Sequence, residues 1–333
     1  MEEGVSGLAT KVTARLLRNT VEISSQEVYE GKVKPAAPDA GIGGNRFRIV
    51  SRAKSVIREY ASANPWEWFV TITLDPEKVD RSTPEPLQAG MQQFNRYARR
   101  KTGEPSAYLA VPEQHPNGWG FHGHALAHCP ESVLVPYQPS EYNALPFAIK
   151  KAYSRAKEAG RQIYHCPWMD EHLGWNLWEP VSSPDKICNY IIKYITKAFE
   201  GRAQTGAGAA QVGSTPEPDC AQATRGKSLY YASRGLKRAP KRVLKPTQST
   251  YKLLETMEQL RKDVLYWGDG IIGGNAKCKT RAWCGVREYN GKIVGTVYRV
   301  DRENVSPEDW EKILKLAGLD PVSLAVLESE YGE

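Results

Sequence analysis

The chain has 333 residues, 41% of them hydrophobic and 25% charged, which is enough for a sizeable buried core and typical of a globular protein. Its formal net charge of +7 favours a polyanionic partner such as nucleic acid. The six cysteines are scattered and include no CxxC pair, so we expect a reducing compartment and no structural zinc site. Neither a signal-peptide pattern nor an apolar run of ~18 residues is present, so we expect a cytoplasmic protein.

The first elements are predicted from prolines, glycines and apolar spacing. Residues 1–44 contain prolines and a glycine cluster and are predicted to form a weakly structured arm, followed by a basic helix from Arg46 to Ala63. The β-branched and aromatic run from Trp66 to Asp75 predicts a strand. Thr83-Pro84 predicts the start of a helix and Gly103 its end.

The middle of the chain predicts a hairpin, a helix and a further strand. The hairpin joins strands at Tyr108–Val111 and Phe121–His128 through Pro116-Asn117-Gly118. A helix from Leu145 to Ala159 and a strand near Trp175–Trp178 come next.

Four further elements are predicted in the remainder. Ser183 caps a helix that Gly201 ends, and residues 201–224 form a flexible linker or long loop. The later elements are an amphipathic helix carrying Leu253, Met257, Leu260 and Val264, a hairpin at Asn290-Gly291, and a last helix capped by Ser306 that carries Trp310, Ile313 and Leu314. Hairpins and helices without regular βαβ alternation predict an α+β fold around a central antiparallel sheet.

Two histidines on the second hairpin strand are candidate metal ligands. Because alternate strand residues point to the same face, His122 and His124 lie on one side, roughly 7 Å apart by strand rise. Two neutral imidazoles and one carboxylate hold a divalent ion and leave positions open for water and phosphate oxygens. Glu113 on the preceding strand is the nearest carboxylate, and the rival third ligands are Gln114, His115 and His128.

The predicted helix after Ser183 carries two tyrosines, Tyr190 and Tyr194, each followed three residues later by a lysine, Lys193 or Lys197. Residues four apart share a helix face, so the phenols border an apolar stripe. That stripe comprises Ile187, Ile191, Ile195 and Ala198. A phenol has a pKa near ~10 and becomes a nucleophile when a metal activates the phosphate and nearby cations favour phenolate. Two amphipathic tyrosines at the edge of a core are the alternative interpretation.

A basic stretch from Arg225 to Lys245 contains eight basic residues and no acidic one. Lysine and arginine neutralise phosphates, and aromatic faces stack on unpaired bases. The candidate DNA-binding residues are Arg225, Lys227, Tyr230, Tyr231, Arg234, Lys237 and Arg238. A solvated basic loop is the alternative.

Taken in this order, the motifs resemble those of the HUH endonucleases, and within them the two-tyrosine rolling-circle replication initiators of bacteriophages and plasmids. Phe69–Asp75 is similar to motif 1, Phe121–Leu126 to the two-histidine motif 2, and Tyr190–Lys197 to motif 3. Val111–His115 and Tyr231–Lys237 also resemble phage-type initiators, so the resemblance covers roughly Arg46 to Val243. Gly123 departs from the family pattern, which often has a bulky apolar residue between the histidines.

The resemblance implies a fold, a cofactor and a reaction. The fold is an antiparallel sheet of about five strands flanked by helices, with Mg²⁺ or Mn²⁺ held by His122, His124 and Glu113. One tyrosine nicks single-stranded or hairpin origin DNA, becomes linked to the 5′-phosphate and releases a 3′-hydroxyl that primes host DNA polymerase. The second tyrosine cuts the regenerated origin, and rejoining releases a circle. Thr73 and Asp75 of motif 1 are supporting candidates, although Asp75 before proline also suits a turn.

The resemblance also divides the chain into residues 1–44, an arm; residues 45–245, the nicking and joining domain; and residues 246–333, an α/β extension of unknown role. Because no GxxxxGK[ST] phosphate loop is present, we expect a host helicase to unwind the DNA in the bacterial cytoplasm. Two alternatives remain open. One is a single-tyrosine transposase of the same superfamily, and the other is a non-catalytic protein that binds single-stranded nucleic acid.

Overall fold

The computed structural model describes residues 8–29, 42–115, 120–181, 191–192, 229–268, 282–289 and 292–322. The chain divides into two compact units. One is continuous and spans Gly41–Arg238, and the other combines Met1–Ala40 with Ala239–Glu333. Within the described part of the chain, no helix is long and apolar enough to cross a membrane.

Twelve strands and six α-helices make up the described elements, together with three short 3-10 turns. The strands are β1 (Leu8–Leu17), β2 (Thr20–Tyr29), β3 (Trp68–Thr73), β4 (Ala107–Gln114), β5 (Phe121–His128), β6 (Val135–Pro136), β7 (Tyr164–His165), β8 (Asn176–Pro180), β9 (Tyr231–Ala232), β10 (Lys241–Leu244), β11 (Ala282–Tyr289) and β12 (Lys292–Asp301). The helices are α1 (Ile42–Ala63), α2 (Glu85–Thr102), α3 (Phe147–Glu158), α4 (Pro167–His172), α5 (Gln248–Gly268) and α6 (Pro307–Ala317). The α+β class is confirmed.

The unit built from both chain ends contains a five-stranded antiparallel sheet with the order β10-β1-β2-β12-β11. Helices α5 and α6 pack on it in one hydrophobic cluster with strand residues such as Val21, Ile23 and Val300. The predicted final helix is confirmed, because the Ser306 side chain accepts a hydrogen bond from the Asp309 backbone N–H. The predicted amphipathic helix is also confirmed as α5.

The prediction of a weakly structured arm is wrong for residues 8–29, which form strands β1 and β2. Their partners are distant in the sequence, because Val12 pairs with Leu244 and Ile23 pairs with Tyr298. A search for local hairpins and helix periods does not reveal such partners. The alternation that buries Val12 and Ala14 of β1 is short and lies among polar residues.

The central sheet of the continuous unit has the strand order β6-β7-β8-β3-β5-β4-β9, and each neighbouring pair is antiparallel. An antiparallel central sheet is therefore confirmed. It has seven described strands, whereas the sequence predicts about five. The difference comes from the two-residue strands β6, β7 and β9, which are too short to produce an alternating pattern.

One face of the central sheet packs against α2. Alternate residues Val70, Ile72 and Ala125 are buried there in a cluster with Leu87, Met91 and Phe94 of the helix. Helix α2 ends at Gly103, whose φ of 74° provides the left-handed cap that the sequence predicts.

The opposite face carries the two histidines, and we call it the ion face. Phe69, Leu109, Val111 and Leu126 are buried on it in a cluster with residues of α1 and with a short described helical segment, Ile191–Ile192. Next to them, α3 covers Leu177 of β8 through a cluster that includes Ile149, Ala152 and Ala156. Helices thus cover much of this face, and the sheet positions what lies beside them.

Several predicted segments fall outside the described residues. They are the hairpin turn at Pro116-Asn117-Gly118, the turn at Asn290-Gly291, the linker at 201–224 and the predicted tyrosine helix apart from Ile191–Ile192. The strands on either side of both turns are antiparallel partners, so the two hairpins are confirmed.

Candidate metal site

The three predicted ligands converge because of strand register. Glu113 on β4 pairs directly with His122 on β5, and His124 lies two residues further along β5. Directly paired residues and residues two apart share a face of the sheet. The three ligand atoms lie within 4.8 Å of one another and form the one His/Cys/Asp/Glu group of this kind among the described residues.

The geometry of the group suits a divalent ion. Oε2 of Glu113 lies 3.0 Å from Nε2 of His122 and 3.1 Å from Nε2 of His124. Adjacent ligands in an octahedral shell with bonds of ~2.1 Å are separated by ~3.0 Å. Small side-chain movements would therefore let all three groups bind one ion on one side and leave the other positions open.

The carboxylate of the group is held in its charged form. Burial alone would raise the pKa of Glu113, but hydrogen bonds and charge from His122 and His124 outweigh it and lower the pKa to about 2. Glu113 and His124 are both buried, and His122 is partly exposed. The site thus offers an ionised ligand that is reached from solvent on the His122 side.

His124 is positioned by two residues of β3. Its Nδ1 lies 3.3 Å from the hydroxyl of Thr71, and its ring stacks on Phe69 with 5.8 Å between centroids and an interplanar angle of 12°. Outer contacts of this kind orient a ligating imidazole. The sequence motifs do not single out Thr71, although the Thr71–His124 cross-strand pairing follows once β3 and β5 are placed in register.

His122 has a different environment. Its Nδ1 is buried without a hydrogen-bond partner, and its ring centroid lies 4.5 Å from that of His115. The pKa of His115 is lowered by burial and by the positive charges of His122 and Arg81, against an opposing effect of Glu113. His115 is therefore a neutral neighbour of the group, and its nitrogen atoms are not among the clustered ligand atoms.

The other supporting candidates lie in distinct places. Thr73 pairs with His122 and lies on the ion face. The Asp75 carboxylate accepts a hydrogen bond from the Glu77 N–H at 3.0 Å and lies 3.7 Å from Nζ of Lys78, so Asp75 has the role of a turn residue.

The two remaining rival ligands, Gln114 and His128, do not join the group. Gln114 pairs with Phe121, which places it on the face opposite Glu113 by strand alternation. His128 lies at the far end of β5, where its Nδ1 is 2.7 Å from the Glu67 carboxylate oxygens.

The predicted nucleophiles Tyr190 and Tyr194, with Lys193 and Lys197, lie outside the described residues. Their immediate sequence neighbours, Ile191 and Ile192, are helical and buried in the hydrophobic cluster of the ion face. Two members of the segment therefore contact the face of the sheet that carries the histidines.

The basic stretch is divided by the structure. Tyr231 is buried against the α2 face, where burial raises its pKa to about 12, so its predicted role in stacking on DNA is wrong. Tyr230 is half-buried beside Tyr60 of α1, and the Arg238 side chain lies over the Tyr60 ring while bonding to Glu59 at 2.8 Å.

Two of the predicted DNA contacts, Arg234 and Lys237, are exposed, as is Arg238. Arg225 and Lys227 lie outside the described residues. The cations of this stretch that can reach a nucleic acid from the described structure are therefore Arg234, Lys237 and Arg238.

Comparison with known proteins links this part of the chain to DNA replication. Residues 67–199 match the sequence profile of a family described as replication-associated protein ORF2. The matched range contains the three clustered ligands and both tyrosines. No curated protein and no solved structure matches the chain. The similarity supports a replication initiator.

Proposed function

We propose that the protein is a rolling-circle replication initiator that nicks and rejoins single-stranded origin DNA through a 5′-phosphotyrosine intermediate. The observation that carries the proposal is the convergence of Glu113, His122 and His124 within a region similar to replication-associated proteins. The resemblance of the same motifs to HUH endonucleases supports the same class of reaction. The nicking domain corresponds to the predicted range 45–245, which closely follows the continuous unit Gly41–Arg238.

The ion is Mg²⁺ or Mn²⁺. A carboxylate oxygen suits these hard ions, and two imidazole nitrogens favour Mn²⁺ among them. Such an ion polarises a phosphodiester and stabilises the charge that develops during displacement at phosphorus. The residues of this chain hold the ion from one side, so that phosphate oxygens approach from the partly exposed side at His122.

Tyr190 and Tyr194 are the proposed nucleophiles. Tyr190 directly precedes Ile191, which is fully buried in the cluster beneath α1 on the ion face. The short link between Tyr190 and Ile191 supports a phenol near the ligands. Lys193 and Lys197 supply positive charge that favours phenolate and binds neighbouring phosphates.

The reaction is balanced without another reagent. The phenolate oxygen forms a bond to phosphorus while the bond from phosphorus to the 3′-oxygen breaks, and the departing 3′-oxygen takes up a proton. Rejoining reverses these steps, because a free 3′-hydroxyl attacks the phosphotyrosine ester. The ester conserves the energy of the broken bond, so strand closure requires no ATP.

Exposed cations of the basic stretch, Arg234, Lys237 and Arg238, are the proposed contacts to the DNA backbone, with Arg225 and Lys227 as further candidates. The released 3′-hydroxyl primes a host DNA polymerase, and a host helicase unwinds the duplex. Both partners, and a place in the bacterial cytoplasm, follow from the proposed reaction.

The test uses single-stranded oligonucleotides that tile the DNA element encoding the protein. With Mn²⁺ present, we expect one oligonucleotide to give a covalent adduct that survives denaturing electrophoresis and maps by peptide mass spectrometry to Tyr190 or Tyr194. Tyr→Phe at both positions should abolish the adduct, and Glu113→Gln should strongly reduce it. Binding without any adduct would overturn the proposal in favour of a non-catalytic binding protein.

The same experiment separates the transposase alternative. An initiator that uses both tyrosines releases a circular single strand from a substrate with two origins, and each single Tyr→Phe variant stops after the first cut. A single-tyrosine transposase would be unaffected by one of the two changes and would excise an element instead.

A further inference from the structure

An exposed tryptophan lies in the same transverse row of the central sheet as two of the metal ligands. We propose that Trp175 is a stacking platform for an unpaired DNA base next to the phosphate held at the ion. The inference rests on the proposed function, because it needs single-stranded DNA at this site. It assigns a base-binding role to a residue outside the metal ligands and the basic stretch.

The row follows from the strand register. Glu113 of β4 pairs with His122 of β5, and His122 pairs with Thr73 of β3. Ile72 pairs with Asn176 of β8, and the Thr73 N–H donates to the Trp175 carbonyl at 2.8 Å, so Trp175 continues the row beyond Thr73. The order across the sheet is therefore Trp175, Thr73, His122 and Glu113.

Strand alternation places the Trp175 side chain on the ion face. Its neighbour Asn176 points into the opposite face, where its side-chain oxygen accepts a hydrogen bond from the Trp178 ring at 2.9 Å. Leu177 packs on the ion face beneath α3. Because alternate residues share a face, Trp175 lies on the side of Leu177. Two strand spacings of ~4.8 Å put its backbone roughly 10 Å from that of His122.

The indole is not used by the protein core. Trp175 is 41% exposed, whereas most of the other tryptophans in the described residues, such as Trp68 and Trp178, are buried. A large apolar ring left in solvent beside a charged, partly open site is costly unless it meets a ligand. Thr73 and His122, which lie between Trp175 and Glu113, are also partly exposed. The row therefore forms an open strip that runs from the ligands to the indole.

The chemistry of the strip fits a nucleotide better than a peptide or a lipid. At one end, the ligand group and its ion bind a phosphate, and the Arg81 side chain approaches this end closely enough to contact Gly120. At the other end, the indole offers a flat face, and every base has a π-face that stacks on such a ring without sequence preference. A nucleotide contains both groups at the required separation of the strip.

The experiment compares a short oligothymidylate with an abasic oligomer of the same length, without Mg²⁺ or Mn²⁺ so that no nicking occurs. The two probes share phosphates and differ in bases. The full-length protein should bind oligothymidylate more tightly, and Trp175→Ala should remove roughly 5- to 100-fold of that preference. Abasic binding should not change, and Trp175→Phe should recover part of the preference.

Phe147→Ala is the matched control, because Phe147 is 83% exposed at the start of α3 and does not belong to the row. Equal loss of binding to both probes in Trp175→Ala, or full retention of the preference, would overturn the stacking role. The adduct assay decides the proposed function separately. If adducts form while Trp175→Ala keeps its base preference, only the stacking inference fails, and if no adduct forms, the proposed function fails first.

Discussion

The side chain of Leu87 fills the space that a side chain at position 123 would occupy. A Cβ built on Gly123 would lie 2.6 Å from both Cδ atoms of Leu87, which projects from α2 onto the sheet. This contact explains why glycine stands between His122 and His124, where HUH endonucleases often have a bulky apolar residue. The helix supplies the apolar volume that the strand lacks.

Gly123→Val should therefore destabilise the protein by roughly 1–3 kcal/mol, because the added methyl groups overpack against Leu87. Leu87→Ala alone should also be destabilising, because it leaves a cavity. The double variant should be more stable than the sum of the single effects predicts. Urea unfolding of the four proteins measures this coupling. Strict additivity would show that the two side chains do not compete for one space.

Glu113→Gln should lower Mn²⁺ affinity by more than ~10-fold, since changes even to groups behind the ligands cost ~10–100-fold. The amide keeps the shape of the side chain but removes the charge that the ion needs. Isothermal titration calorimetry measures the affinity. His128→Ala is the control, because His128 lies on the same strand and contacts Glu67 rather than the ligands. Equal losses in both variants would remove Glu113 from the site.

Thr71→Val should weaken Mn²⁺ binding by about 10-fold with little change in fold stability, because it removes the hydroxyl beside Nδ1 of His124 and keeps the shape. Thr71→Ser retains the hydroxyl and should restore affinity. The same calorimetric titration measures both variants. If serine and valine behave alike, the hydroxyl does not orient the imidazole.

Gly174→Ala should destabilise the protein by more than ~2 kcal/mol, because two effects combine. Gly174 has a φ of 135°, and a Cβ there would clash with the Thr73 carbonyl oxygen and lie 2.8 Å from the Asp75 backbone nitrogen. Gly160→Ala is the control. It also has a positive φ, of 63°, but no atom lies within 4 Å of a built Cβ, so its cost should be near ~1 kcal/mol. Chemical unfolding distinguishes the two.

Burial raises the pKa of the Cys166 thiol to about 11 from its ordinary value of 9.0. Between these values the folded protein keeps a proton that the unfolded chain has lost, so this group should make stability fall as the pH rises from 9 to 11. At a pH of about 8, Cys166 should resist iodoacetamide in the native protein and react once urea unfolds it. Peptide mass spectrometry follows the site, and rapid native labelling would contradict the burial.

The elements predicted correctly from sequence carry their signal within a few residues. The β4–β5 hairpin and the helix cap at Ser306 depend on local turn and capping chemistry, and both are found. The ligand group also follows from local rules, because Glu113 and His122 are brought together by the register of one hairpin. Strands β1 and β2 escape such rules because their pairing partners, apart from each other, are distant in the sequence.

Burial is harder to predict than strand position. Tyr231 stands in a basic stretch that favours a DNA contact, but its pairing with Ala110 on the edge strand turns the ring toward α2. Nothing in the local sequence distinguishes Trp175, although it follows Gly174 at the end of the predicted strand and is exposed. Both outcomes depend on which face of a sheet is covered, and no local pattern in either segment contains that information.

The five-stranded sheet has a consequence for synthesis on the ribosome. Glu22 of β2 bonds to Arg299 of β12, which is 277 positions later in the chain. At usual translation rates the amino-terminal hairpin waits on the order of tens of seconds for this partner. The continuous unit Gly41–Arg238 is completed in the interval and has its own apolar clusters. Nascent-chain folding should therefore begin in the middle of the polypeptide, and the two ends should join last.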